Sequence, residues 1–209
     1  VPRGRFAAEQ DDGRRVTRAA SGTEDRREQI LRAAADVIGE RGFADTRIAQ
    51  IADRVGVSGA TIIYHFRTLD RLLVEALKHA EEQFYASAEQ VVAEGATPEE
   101  RLRRLVEWVF SAEHGNRRLW ALWLDTWSQA TRHEEVAAAR AAQDERWRGM
   151  IADIVRELPL EPGDVERFSV GFGAFLDGLT IQVALGDPSM TPGFACELAL
   201  SYAKAALGR

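Results

Sequence analysis

Cysteine is almost missing from this chain: Cys196 is the single one in 209 residues. One thiol excludes an internal disulfide framework and a cysteine-rich zinc site. Its neighbours Phe194, Leu198 and Leu200 mark it as a small core residue rather than a reactive group. No apolar run approaches the ~20 residues that span a bilayer, and no charged-then-apolar leader announces export. We therefore expect a cytoplasmic protein with no membrane partner. Strand-like alternation of useful length is lacking, as is any repeat of fixed period. A phosphate-cradling glycine loop, a nucleophile motif and close metal-ligand spacing among the four histidines are lacking too, so no cofactor, metal or catalytic residue is expected.

What remains is ordinary globular stock, 45% hydrophobic and 29% charged, enough to bury a core without staples. The net charge of −6 is unevenly spread. Residues 1–72 hold 13 Arg against 11 acids, or +2, and the rest of the chain carries −8. A mildly basic first third permits a local polyanion site that the whole-chain charge would hide.

The chain opens Val1-Pro2-Arg3-Gly4, which resembles a protease-site scar from an expression tag. Residues 1–22 show no hydrophobic period and read as a flexible arm. From Thr23 the pattern is helical. Ile30, Leu31, Ala34, Val37 and Ile38 form a stripe that Gly42 ends. Asp45-Thr46 can cap a helix over about 47–54, and Ser58 one over about 59–65. Asp70 opens a long helix to about Val92. Further helices are predicted near 98–112, 117–131, 134–157, 164–185 and 192–207. Thr97-Pro98 and Thr191-Pro192 repeat one start signal, a capping hydroxyl before proline at the first helical position. The fold class is all-α, with about nine helices.

One stretch carries the functional signal: IADRVGVSGATIIYHF, Ile51 to Phe66. Gly56 follows a short helix where the chain must often take positive φ, and Ser58 caps the next. Small Ala52 lets that next helix cross closely. Two short helices joined by a glycine-containing turn form a helix-turn-helix, which can lay its second helix in a DNA major groove. A corner in a helical bundle that binds no DNA has the same spacing.

Residues 28–73 resemble the DNA-binding head of TetR-family transcriptional regulators. Gly42-Phe43, Ile51-Ala52, Gly56-Val57-Ser58 and Tyr64-His65-Phe66 carry the likeness. RLWALWLDTWSQATRHEE and FLDGLTIQVAL resemble, more weakly, the C-terminal domain of the family's choline-responsive, betaine-pathway subgroup. The resemblance implies a helix-turn-helix domain at 23–68 and a ligand-binding and dimerisation domain at 69–209. It implies DNA contacts by Ser58, Gly59, Ala60 and Thr61 at the start of the recognition helix, and by Tyr64 and His65 further along. Thr46 and Arg47 are phosphate candidates. Two positions depart from the family pattern: Ile63 replaces a frequent aromatic residue and Leu69 a frequent phosphate-binding lysine.

In the larger region Trp120, Trp123 and Trp127 share a helix face at i, i+3 and i+7, with Trp108 and Trp147 on neighbouring helices. Such a stripe suits a plain core. Under the resemblance it suits an aromatic-lined site for a cationic or hydrophobic effector, with Asp125 and Asp177 as its carboxylates. On the last two helices Phe168, Phe172, Phe175 and Leu179, with Phe194, Leu198 and Tyr202, make an apolar surface that suits burial within the chain or, as the resemblance implies, a dimer interface in an intermolecular four-helix bundle. The expected function is a homodimeric repressor, released from a palindromic double-stranded DNA operator by a small molecule. The alternatives are an all-α enzyme, or a helical interaction protein whose head no longer binds DNA.

Overall fold

A computed structural model describes residues 9–112, 117–132 and 134–208, with side chains described from Asp25 onward except at 113–118, 133, 135 and 139. Among the described residues there are nine helices and no strand. They are α1 (Glu9–Arg41), α2 (Ile48–Val55), α3 (Gly59–Phe66), α4 (Leu69–Ala93) and α5 (Pro98–Val109). After these come α6 (Arg117–Ala130), α7 (Glu134–Val155), α8 (Pro162–Leu185) and α9 (Pro192–Ala206). The chain divides into two compact units, Val1–Ala80 and Glu81–Arg209, with the division inside α4.

In the first unit the predicted stripe is buried. Ile30, Leu31, Ala34, Val37 and Ile38 of α1 are all inaccessible to solvent, as are Ile51 and Ala52 of α2, Ile62 and Phe66 of α3, and Leu72, Leu73 and Ala76 of α4. Helix α1 packs on α2, and α2 on α3. The edges are tied by ions: Arg27 pairs with Glu75 and lies over the Phe66 ring, while Arg54 reaches Glu40 at 2.7 Å. One expectation is corrected. The stretch read as an arm is helical from Glu9 onward, because Ala and Arg are strong helix formers and extend α1 backward without an apolar stripe. Residues 1–8, with the possible tag scar, lie outside the described residues, as do the side chains of 9–22.

The second unit has its core between α5, α7, α8 and α9, built from Leu105, Val106, Ile151, Val155, Phe172, Leu176, Ala195 and Ala199. The two proline-start signals form as predicted. The Thr97 hydroxyl accepts from the Glu100 amide, and that of Thr191 from the Phe194 amide, each pairing a donor the first turn would leave open. Helix α8 begins two residues earlier than predicted, at Pro162, because proline at a first helical position loses no hydrogen bond. By length and composition α8 alone among the described helices is long and apolar enough to cross a bilayer, although Asp177 interrupts its apolar run. Here one face of it lies in the core of the second unit, and it packs on α7 and α9.

Candidate DNA-contact surface and ligand cavity

The turn between α2 and α3 is made as its residues demand. Gly56 takes φ 71° and ψ 40°, with open space where a side chain would start, so conformation and not crowding calls for glycine. The Val57 amide then donates to Ala52 O at 3.0 Å. Ser58 caps α3, its hydroxyl accepting from the Thr61 amide at 3.1 Å and sharing a hydrogen bond with Thr61 Oγ1 at 2.9 Å. Ile62 and Phe66 anchor α3 inward, which turns Ala60, Ile63 and Tyr64 outward; Tyr64 is 78% exposed. Gly59, Thr61 and His65 are half-buried at the edges, with the Tyr64 and His65 rings edge to face at 5.4 Å.

Thr46 is not on this surface. It is fully buried and its hydroxyl donates to Gly42 O at 2.8 Å, so it braces the loop between α1 and α2 and has no hydroxyl left for a phosphate. Neither Asp45 nor Thr46 caps α2. Arg47 holds that position, and its backbone N–H donates to Gln50 Oε1 at 2.8 Å. The Arg47 guanidinium is exposed but folds back onto the carbonyls of Ala44 and Thr46. At the far end of α3, Arg67 holds φ 70° while the Thr68 amide donates to Phe66 O at 2.8 Å. That is a tight γ-turn, strained for a residue with a side chain. Of the two arginines flanking Leu69, Arg71 is engaged with Glu75 at 2.8 Å. The guanidinium of Arg67 pairs with no carboxylate among the described residues.

The second site is a small cavity inside the second unit, about 50 Å³ in volume and half-open to solvent. Helix α6 contributes Trp120, Trp123 and Trp127 from the predicted face. Helix α7 contributes Arg140, Gln143, Asp144 and Trp147, and α8 contributes Leu176, Asp177 and Thr180. The second half of α4 adds Phe84 and Tyr85, which sequence reasoning missed. Phe84 is the hub, its ring centroid 4.8 Å from that of Trp108, 5.9 Å from Trp147 and 6.3 Å from Trp123. Trp108 thus stands behind the lining and shapes it through Phe84. Asp125 does not line the cavity: it is five residues after Trp120, which points it off the tryptophan face.

Electrostatically the cavity is an aromatic box with carboxylates. Burial is the main cause that lifts the Asp177 carboxyl from its usual range to about 6; the Arg140 charge opposes the shift and Asp144 adds to it. Tyr85 is held neutral and oriented, its phenol raised by burial and donating to the Gln143 carbonyl at 2.8 Å. The Thr180 hydroxyl turns back to the carbonyls of Leu176 and Asp177 and offers the cavity little. The lining is close-packed at one wall. A Cβ on Gly173 would lie 3.3 Å from Cδ1 of Trp147, so this glycine lets the indole rest on α8. Asp144 and Arg140 were the chief charged groups missed. Their i, i+4 spacing across from the tryptophans was the available signal.

The expected dimer surface divides in two. Phe168, Phe172 and Leu179 are buried in the core of the chain itself, with the Phe168 and Phe172 rings stacked at 5.0 Å. Phe175 and Leu198 are half-buried against that core. Phe194 and Tyr202 are exposed, together with Val170 and Leu185, which had not been singled out. An α8 rich in apolar residues on several faces hides which face its own chain claims.

Comparison with known proteins bears on both regions. The profile described as "Bacterial regulatory proteins, tetR family" matches residues 30–76. The profile described as "BetI-type transcriptional repressor, C-terminal" matches residues 98–208, just over half of the chain. The HTH-type transcriptional regulator BetI of Brucella canis is 27% identical over 177 residues, covering 85% of this chain and 89% of that protein. A BetI regulator of Chromohalobacter salexigens is 28% identical, with 88% of this chain and 91% of its own covered. A solved structure of a putative transcriptional regulator from Saccharomonospora viridis, in complex with choline, is also similar. It has a TM-score of 0.76 and 28% identity, covering 86% of this chain and 95% of that one. A Pseudomonas aeruginosa regulator at 22% identity and TM-score 0.76 shows the same fold. The enzyme alternative falls away, since the matched families are transcriptional regulators.

Proposed function

Since the chain belongs to the TetR family of bacterial transcriptional regulators and carries a BetI-type repressor C-terminal domain, we propose that it is a homodimeric repressor. A small onium cation of the choline type releases it from a palindromic operator. The observation that carries the effector is the box of Trp120, Trp123, Trp127 and Trp147 with the Asp177 and Asp144 carboxylates. Indole faces and a carboxylate attract a poorly hydrated cation and offer a neutral ligand no equivalent gain. The choline bound by the Saccharomonospora viridis regulator supports the same chemistry.

Operator contact falls to Arg47, Ser58, Gly59, Ala60, Thr61, Tyr64 and His65. Short side chains at 59 and 60 let α3 sit deep, and Ala60 can meet a thymine methyl. The DNA-binding part is residues 23–68 and the effector and dimer part 69–209, even though the first half of α4 belongs to the compact head. Exposed Val170, Phe194 and Tyr202, with half-buried Leu198 between them, supply the two-fold interface of an intermolecular four-helix bundle. Half-sites then lie about one helical turn, or a multiple, apart. The effector acts only through its difference in affinity for the DNA-competent and released states. Such work takes place in the cytoplasm.

A mobility-shift titration with DNA from the protein's own promoter region tests this. We expect a specific shift that weakens steeply with salt and is reversed by choline but not by its uncharged tert-butyl analogue. No shift at low salt overturns the repressor reading. Release by the neutral analogue at equal concentration overturns the cationic effector. Phe194→Glu is expected to give a monomer in sedimentation and to lose the shift; a dimer of unchanged affinity removes the proposed interface.

A further inference from the structure

We propose that Arg140 is a tethered occupant of the effector's cation seat, and that by competing there it sets affinity and restricts the cavity to singly charged ligands. The inference rests on the cationic-effector reading above.

The guanidinium carbon of Arg140 lies 3.9 Å from the Trp127 ring centroid, the stacking distance of a cation on an indole face. Its Nε donates to Asp144 Oδ1 at 2.8 Å, one turn along the same helix. The pair is partly shielded, with 21% of the Arg140 side chain and 35% of the Asp144 side chain exposed. Arg140, Asp144, Trp127 and Asp177 line one cavity. A guanidinium and a quaternary ammonium are both weakly hydrated cations that favour the same aromatic face. One face of Trp127 therefore serves one of them at a time.

Charge balance gives the selectivity. With Arg140 seated, one guanidinium serves two carboxylates, paired directly with Asp144 and attracting Asp177 from further off, so the cavity is one positive charge short. A monocation completes that balance. A dication needs Arg140 to leave, so that both carboxylates become available. Arg140 thus acts as a threshold: an onium must outcompete a cation already in place at high effective concentration.

Binding of tetramethylammonium and of putrescine, doubly charged at neutral pH, is to be measured by tryptophan fluorescence and calorimetry at about pH 8, where Asp177 is ionised. In Arg140→Gln, tetramethylammonium is expected to bind about ten-fold tighter, with a larger gain for putrescine. Arg140→Lys keeps the charge but loses the planar stack. It is expected to bind tetramethylammonium about three-fold tighter, and it serves if the glutamine variant fails to fold. Wild type that binds tetramethylammonium with variants of equal or weaker affinity overturns the proposal and leaves the cationic effector standing. Silence of wild type and both variants toward either cation takes down the effector reading, and this inference with it.

Discussion

Helices α3 and α6 use aromatic residues in opposite ways. α3 buries Ile62 and Phe66 and sends Tyr64 out to 78% exposure, whereas α6 draws Trp123 in to 6%. The first makes a convex surface held up by a small core beneath it. The second makes a concave one in which the same side chains both support the wall and line the cavity. Shape and stability are separable in the head and inseparable in the cavity. Mutations should therefore fall into two kinds, and the contrast can be broken by experiment.

The largest effect is expected at the concave site. Trp123→Ala removes a buried indole and should cost about 3–5 kcal/mol of stability together with choline binding. Its counterpart Tyr64→Ala should leave the unfolding free energy within about 0.5 kcal/mol of wild type and weaken operator binding about ten-fold. Equal destabilisation by the two in parallel chemical denaturation would erase the distinction.

Asp177→Asn sharpens it. The variant should lose at least about ten-fold in choline affinity near pH 8. Wild-type affinity should fall as pH drops through about 6, where the carboxyl takes up its proton. Stability of the ligand-free protein runs the other way. Because burial raises the folded-state value above the unfolded one near 3.9, the folded form binds the proton more tightly. This contribution is fully present below about 4 and is lost as pH rises through about 6. Asp177→Asn should accordingly stabilise the ligand-free protein near pH 8, by on the order of 2 kcal/mol, and have little effect near pH 4. A pH-independent difference in denaturation midpoint would rule out that account.

The smallest effect is expected from Gly173→Ala. Its new methyl, 3.3 Å from Trp147, must push the indole a few tenths of an ångström toward the cavity. Choline affinity should fall about three-fold with a stability cost of about 1 kcal/mol. Unchanged calorimetric affinity would mean that the Trp147 wall yields without consequence.

The legible parts of this molecule were those with local causes. The α1 stripe, the positive φ at Gly56, the Ser58 cap and the two threonine–proline starts all follow from short-range sterics and hydrogen bonding. The tryptophan face of α6 was legible too, since periodicity puts Trp120, Trp123 and Trp127 together in any helix. Partners from elsewhere were not. Phe84 and Tyr85 arrive from a helix some forty residues away from α6, and nothing near Thr46 announces that its hydroxyl turns inward to Gly42.

Sequence alone therefore settled that the chain is helical, where most of its helices lie, and that a short capped helix follows a glycine corner, because each rests on contacts within a few residues. Tertiary structure decided which side of each helix the chain's own core claims. Thr46, Phe168, Phe172 and Leu179 went inward; Tyr64, Phe194 and Tyr202 stayed out; and Asp144 and Arg140 joined the tryptophans in place of Asp125. A helix apolar on several faces has many burials of similar gain, and only the other helices packed around it select one.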